Sequence, residues 1–145
     1  MITLCIDASI SIKWVIEESG TQQALALRNG AKLIAPDLLI SECANILWKK
    51  VQRKELHKNE ALLAARLLRG VEIELVPTRS LLEVTTRLAI DLVHPAYDCV
   101  YLALAMERGC RFVTADDRLL SKVAESRRKV LRDIAAPLGS QIGQS

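Results

Sequence analysis

Asp7, Glu42, Asp98 and Asp116 are four carboxylates far apart in the chain, and each stands in or beside a segment whose other residues are apolar. Carboxylates are almost never left buried and unpaired, because removing an ion from water costs far more than one packed side chain returns. The neighbouring segments offer no equally placed cations, so a bound divalent ion is the simplest remedy. All-oxygen ligation selects a hard ion, Mg2+ or Mn2+, and the only histidines, His57 and His94, are too few for a typical zinc site. An ion held this way lowers the pKa of a bound water and offsets charge on a phosphoryl group during in-line displacement. Phosphodiester hydrolysis is the natural chemistry of such a set. The same acids have structural uses. Asp7 and Asp116 each precede a helical pattern and suit N-caps, and Asp98 lies near the start of one, the end that favours an anion. Glu42 falls well inside the helix expected around it, with Leu38, Leu39 and Ile46 on its face, so a capping role does not serve it.

The elements that must bring these acids together follow from periodicity. Thr3 to Asp7 is β-rich and runs directly into a helical stretch, Ala8 to Ile16; a second helix, about Thr21 to Asn29, ends at Gly30. Lys32 to Ala35 reads as a strand, with Pro36 opening a long helix to about Lys54. A helix over Asn59 to Leu68 pairs with it as a hairpin, and Glu72 to Val76 alternates as a strand. Helices over Ser80–Leu92 and Tyr97–Arg108 are closed by His94-Pro95 and Gly109, then Cys110 to Ala115 forms the clearest strand and Asp116 begins a further helix. Lys129-Val130-Leu131 reads as a last edge strand. Strands alternating with helices imply a three-layer α/β/α fold with a parallel sheet of four to five strands. Asp7 and Asp116 then lie at the carboxyl edge of that sheet, where open α/β folds bind ligands.

At 145 residues, 50% of them apolar, the chain is of one-domain length; the domain is expected over 1–136, followed by a polar, loose tail over 137–145. Cys5, Cys43, Cys99 and Cys110 form no Cys-x-x-Cys pair and read as reduced core residues. The N-terminus lacks a basic region with a cleavage site, and no apolar run approaches the ~18 residues of a membrane span, so a cytoplasmic location without membrane contact is expected. Net charge is +3, but with the four acids neutralised by metal, 20 Lys and Arg face only 13 remaining Asp and Glu. Much of the excess is clustered, at Lys49-Lys50, Arg53-Lys54, Lys58 and Arg127-Arg128-Lys129, with Arg118 and Lys122 following the last acid. Such clusters are solvated faces unless a polyanion uses them; beside an acidic centre, a nucleic acid is the fitting partner.

Four short pieces carry a family resemblance: Ile6-Asp7-Ala8-Ser9; Pro36 through Ser41-Glu42-Cys43-Ala44-Asn45; Tyr97-Asp98-Cys99-Val100-Tyr101-Leu102-Ala103-Leu104-Ala105; and Phe112-Val113-Thr114-Ala115-Asp116. In this order and spacing the chain resembles, over about residues 2–133, a PIN-domain ribonuclease of the VapC toxin type. The resemblance implies Asp7, Glu42, Asp98 and Asp116 as metal-binding, catalytic acids, with Ser9, Asn45 and Thr114 as polar groups that orient them. Asp117 competes with Asp116 for the fourth place, although the Thr-x-Asp spacing favours Asp116. It further implies endonucleolytic RNA cleavage with Mg2+ or Mn2+, a homodimer, and restraint by a small antitoxin. Arg118, Lys122, Lys49 and Lys13 are the cations expected to meet RNA.

Three other readings stay open at this point. A PIN-type RNA-processing or structure-specific nuclease without an antitoxin would share every motif. An aspartyl-phosphate hydrolase also begins with Asp after its first strand, but wants a second Asp where Ser9 stands. A non-enzymatic interaction module would use the acids only as caps.

Overall fold

The computed structural model describes residues 1–140. Five strands, β1 (Ile2–Ile6), β2 (Ala31–Pro36), β3 (Glu74–Val76), β4 (Arg111–Thr114) and β5 (Ala135–Pro137), form one sheet in the order β3-β2-β1-β4-β5. All four pairings are parallel. Eight helices connect and cover them: α1 (Ala8–Ser11), α2 (Thr21–Leu27), α3 (Leu39–Gln52), α4 (Lys58–Arg69), α5 (Leu82–Leu92), α6 (Ala96–Arg108), α7 (Asp117–Ala124) and α8 (Lys129–Ile134). Single 3-10 turns extend α1 through Trp14 and precede α5 at Arg79–Leu81.

The chain steps outward from β1 to β2 and β3, then returns to β4 on the other side of β1 and continues to β5. Right-handed crossovers put connections running in opposite directions on opposite faces, so helices cover the sheet on both sides. The direction reverses between β1 and β4, which opens a crevice at their carboxyl ends. The core lies on the middle strands: Cys5, Ile6, Ile34, Phe112 and Val113 are fully buried, as are Leu102, Leu104 and Ala105 of α6. The all-round apolar run of α6 is explained by its contacts with β1, β2 and β4 on one side and α5 and α8 on the others.

Three expectations are corrected. Pro36 ends β2 rather than opening α3, because the Asp37 amide continues the ladder to the Val76 carbonyl at 3.0 Å. Glu42 therefore lies in the first turn of α3, not deep within it. Lys129–Leu131 is the start of α8, where Leu131 is buried and Lys129 pairs with Asp133 across one turn at 2.9 Å; the edge strand is Ala135–Pro137. A three-residue segment is too short to show a period, and the i,i+4 pair settles it as helix. The sheet continues through Pro137, and the Leu138 amide bonds the Thr114 carbonyl at 3.0 Å. Of the tail expected to be loose, residues 141–145 lie outside the described residues. Among those described, no single helix is long and apolar enough to cross a membrane.

Helices α5 and α6 end alike: the residue after each adopts a left-handed conformation, Gly109 after α6 with φ 62° and Val93 after α5 with φ 51°. In both, the next amide reaches back to a carbonyl five residues earlier, Cys110 to Ala105 at 3.0 Å and His94 to Ala89 at 3.2 Å. Glycine takes this conformation without strain, whereas a β-branched side chain is an outlier there. Val93 is 77% exposed, so its side chain returns little burial. Val93→Gly is expected to stabilise the fold by about 1 kcal/mol after the glycine's extra unfolded-state freedom is counted, a rise of ~2–4 °C in thermal unfolding. A lowered midpoint would show that the valine makes a compensating contact.

Candidate active site

β1 delivers Asp7 one residue past its end, and the register Ile6↔Val113 sets Thr114 of β4 beside it. Asp7 is the most buried of the acids, 7% exposed. Its two oxygens accept from two hydroxyls, Oδ1 from Ser9 and Oδ2 from Thr114, both at 2.5 Å. The hydroxyls have no choice of direction. Ser9 Oγ already accepts from the Ala115 amide at 2.9 Å and Thr114 Oγ1 from the Asp116 amide at 3.0 Å, so each turns its own hydrogen to Asp7. Asp7 holds the N-cap position of α1, yet its side chain does not cap that helix.

Asp116 follows β4 and does cap: its Oδ1 accepts from the Arg118 and Leu119 amides at 3.0 and 3.2 Å. The capping reading and the site reading are therefore compatible for this residue. Asp117 is the first residue of α7 and is exposed. Asp98 sits in the first turn of α6, half-buried, with Oδ2 at 2.6 Å from His94 Nε2. Ligand atoms of His94, Asp98 and Asp116 all lie within 4.8 Å of one another. Glu42 is half-buried and its Oε2 accepts from the Tyr101 hydroxyl at 3.1 Å. That ring is buried in α6 and stacked on Phe112, with centroids 5.6 Å apart.

Burial is the largest cause of an unusual titration in this group. It pushes the Asp7 carboxyl up to about 6, against the Ser9 and Thr114 hydrogen bonds, with the Asp116 charge adding to the rise. Burial likewise pushes Glu42 up to about 7, against the Tyr101 hydroxyl, and the charges of Asp7, Asp98 and Asp116 raise it further. The four acids therefore share one electrostatic environment, as like charges do when no cation divides them. The donor set suits a cation: carboxylate oxygens dominate, each anchored by a donor that leaves coordination capacity elsewhere on the group. The group formed by His94, Asp98 and Asp116 can hold a metal ion.

Of the remaining expected residues, Ser9 and Thr114 join the site and Asn45 does not make a side-chain hydrogen bond among the described residues; it is exposed on α3. Lys49 lies two turns along α3 from Glu42 and is exposed; Arg118 is exposed and Lys122 half-buried on α7. Lys13 is largely buried instead, donating to Glu18 Oε1 at 3.0 Å and to the Ser19 carbonyl at 2.7 Å, while Lys50 holds the other oxygen of Glu18 at 3.0 Å. Tyr101 and His94 are the site residues that sequence reasoning missed. Tyr101 stood inside a recognised motif, and its polar tip in an otherwise apolar helix was the available signal.

The raised carboxyls have a consequence for the metal-free protein. Asp7 titrates at about 6 when folded against ~3.9 when unfolded, so between these values the native state holds the extra proton and stability falls as pH rises. The contribution is complete below about pH 4 and lost as pH passes through 6, on the order of 3 kcal/mol. In EDTA, denaturant titrations from pH 4 to 8 should show wild type losing stability relative to Asp7→Asn by this amount. A difference between the two proteins that does not change with pH would contradict the burial of a titrating Asp7.

Comparison with known proteins agrees with this geometry. The PIN domain family model matches residues 4–126. Ribonuclease VapC9 of Mycobacterium tuberculosis is 30% identical over 116 residues, 80% of this chain and 87% of the relative. Ribonuclease VapC3 of Pyrobaculum aerophilum is 33% identical over 123 residues, 82% and 93% of the two chains. Among solved structures, PAE2754 from Pyrobaculum aerophilum superposes with a TM-score of 0.64 at 21% identity, covering 86% of this chain and 82% of that one. Mycobacterium tuberculosis VapC20, a sarcin-ricin loop cleaving toxin, superposes with a TM-score of 0.59 at 13% identity, covering 77% and 86%. These two likenesses speak to the fold. With the acids at the carboxyl edge of a parallel sheet and two curated relatives spanning most of its length, this chain belongs to the PIN-domain family, among the VapC ribonucleases.

Proposed function

We propose that Asp7, Glu42, Asp98 and Asp116 hold Mg2+ or Mn2+ and that the chain is a metal-dependent endoribonuclease, the toxin of a toxin–antitoxin pair. The observation that supports this reading is that ligand atoms of Asp98 and Asp116 lie within 4.8 Å of each other, with Asp7 and Glu42 near enough for their neighbours' charges to raise both carboxyls, in a chain of the VapC family. When bound, the ion would supply a water of lowered pKa and compensate charge on the phosphoryl group. The protein's own part is to keep the carboxylates fixed before the ion arrives. Ser9 and Thr114 hold Asp7, Tyr101 holds Glu42, and the amides at the start of α7 hold Asp116. Exposed Arg118 directly follows Asp116 and Asp117, and Lys49 lies two turns from Glu42, so cations flank the acids where an RNA backbone would approach.

Restraint by a small partner rests on the relatives and on surface chemistry. Ile40, Trp48, Leu62, Leu63 and Leu67 stand exposed on α3 and α4, an apolar face that suits a partner chain. A basic side chain of that partner, an arginine above all, could engage the four carboxylates and displace the ion. A homodimer, expected from the family, would have the exposed Leu82 and Ile90 of α5 available for its contact.

Mg2+ or Mn2+ at ~100 times its dissociation constant should stabilise the fold by about 2.7 kcal/mol, and EDTA should reverse the effect. Asp98→Asn should lose both this stabilisation and RNA cleavage; a melting temperature indifferent to both ions would sink the metal reading. RNA affinity, measured in Ca2+ once that ion is shown not to support cleavage, should fall steeply with salt. Arg118→Ala should lower the slope of log K against log salt by roughly one. Induced alone in its host the wild-type chain should arrest growth, with rescue by the product of the adjacent gene. Normal growth with soluble protein and intact RNA would remove the toxin assignment.

A further inference from the structure

Three of the four acids are held by neutral oxygen or amide donors: hydroxyls of Ser9 and Thr114 on Asp7, a phenol on Glu42, backbone amides on Asp116. Asp98 is held by His94, an imidazole that could either donate a hydrogen bond or ligate the ion itself. Nothing in the motif containing Asp98 requires a histidine four residues before it. We infer that His94 is a positioning residue: its Nε2–H fixes one oxygen of Asp98 so that the other faces the cation. This rests on the assignment of the four acids as cation ligands proposed above.

Several features of the local backbone commit His94 to this place. Val93 before it is in the left-handed conformation, and Pro95 after it is the N-cap of α6, so both neighbours have little freedom. The His94 amide is consumed by the Ala89 carbonyl at 3.2 Å, closing the end of α5. Its own carbonyl receives the Cys99 thiol at 3.9 Å, and its side chain is only 7% exposed. The strained Val93 is tolerated where a glycine would be relaxed, and the result is an imidazole turned inward from a loop that is otherwise exposed at Val93, Pro95, Ala96 and Tyr97. Strain held beside a functional group is a common arrangement of pre-organised sites.

Geometry favours orientation over ligation. A distance of 2.6 Å is that of a short hydrogen bond, and because an ionised carboxylate only accepts, the inference assigns the proton between them to Nε2. While it lies there, Nε2 has no lone pair for a metal. Asp98 makes no other side-chain hydrogen bond among the described residues, so without His94 its carboxylate would rotate freely in the first turn of α6.

The test compares His94→Ala, which removes the donor, with His94→Gln, whose amide nitrogen reaches about as far as Nε2 and still donates. Mn2+ and Mg2+ affinities are read by calorimetry on the full chain, alongside thermal unfolding in EDTA. The inference expects His94→Ala to weaken both ions by the same factor, about 10-fold or more, and His94→Gln to restore both to within a few-fold of wild type. Should His94→Ala fail to fold, the Nε2 proton of the Mg2+-loaded wild type, followed by nitrogen NMR, gives the answer: its retention supports positioning, its loss overturns it. Wild-type affinity in His94→Ala overturns the inference, as does a His94→Gln no better than alanine. A change in the ratio of Mn2+ to Mg2+ affinity marks direct ligation and overturns it too. If wild type binds neither ion, it is the metal assignment beneath that has failed, and the inference falls with it.

Discussion

Repulsion among four carboxylates brought to one sheet edge is the constraint around which this molecule is organised. Burial makes Asp7 and Glu42 costly to ionise, and neighbouring charge adds to it, that of Asp116 at Asp7 and those of Asp7, Asp98 and Asp116 at Glu42. The fold meets this locally before any ion does. Asp98, Asp116 and Glu42 all occupy the first turn or cap of a helix, where the backbone's positive end faces them. Asp7, preceding only the short α1, depends on two hydroxyls instead.

Those hydroxyls illustrate how direction is imposed on a site. A hydroxyl is free to point anywhere until its lone pairs are engaged. The amides of Ala115 and Asp116 engage them, and the loop after β4 thereby orients an acid after β1, 107 residues away for the Thr114 pair. Tyr101 does the same for Glu42 while its ring stacks on Phe112 in the core. Core packing and site geometry are here a single arrangement, because the ring that fills the interior also carries the donor.

Beyond the acids the surface is basic, and the division is useful to a nuclease of this family. An acidic centre by itself repels a polyanion; on the function proposed above, the exposed Arg118 and Lys49 would draw the backbone in while a bound ion would offset the central repulsion. Not every cation contributes. Lys13 and Lys50 are spent on Glu18, whose carboxyl they hold below its usual range despite its partial burial, and this clamp ties the segment after α1 to α3.

How much of this was legible in the chain depends on the range of the interaction. Strand and helix periods located nearly every element, and with them the sheet edge that receives Asp7 and Asp116. Where local pattern was too short to have a period, as at Lys129–Leu131, or where one residue fits two roles, as at Pro36, tertiary pairing decided. Ser9 and Thr114 were named through the family resemblance, whose motifs also hold Asp7 and Asp116. Tyr101 was not assigned, since its partner is 59 residues away and only the folded chain brings the two together. His94 stands four residues before Asp98, but a proline and a helix break lie between them, so no helical face connects the pair. By itself the sequence determined which groups are acidic, which segments are buried and which ends of strands carry charge, because these follow from local composition and period. Which side chain aims each carboxylate was left to tertiary structure, because a hydrogen bond's direction exists only once both partners have been placed.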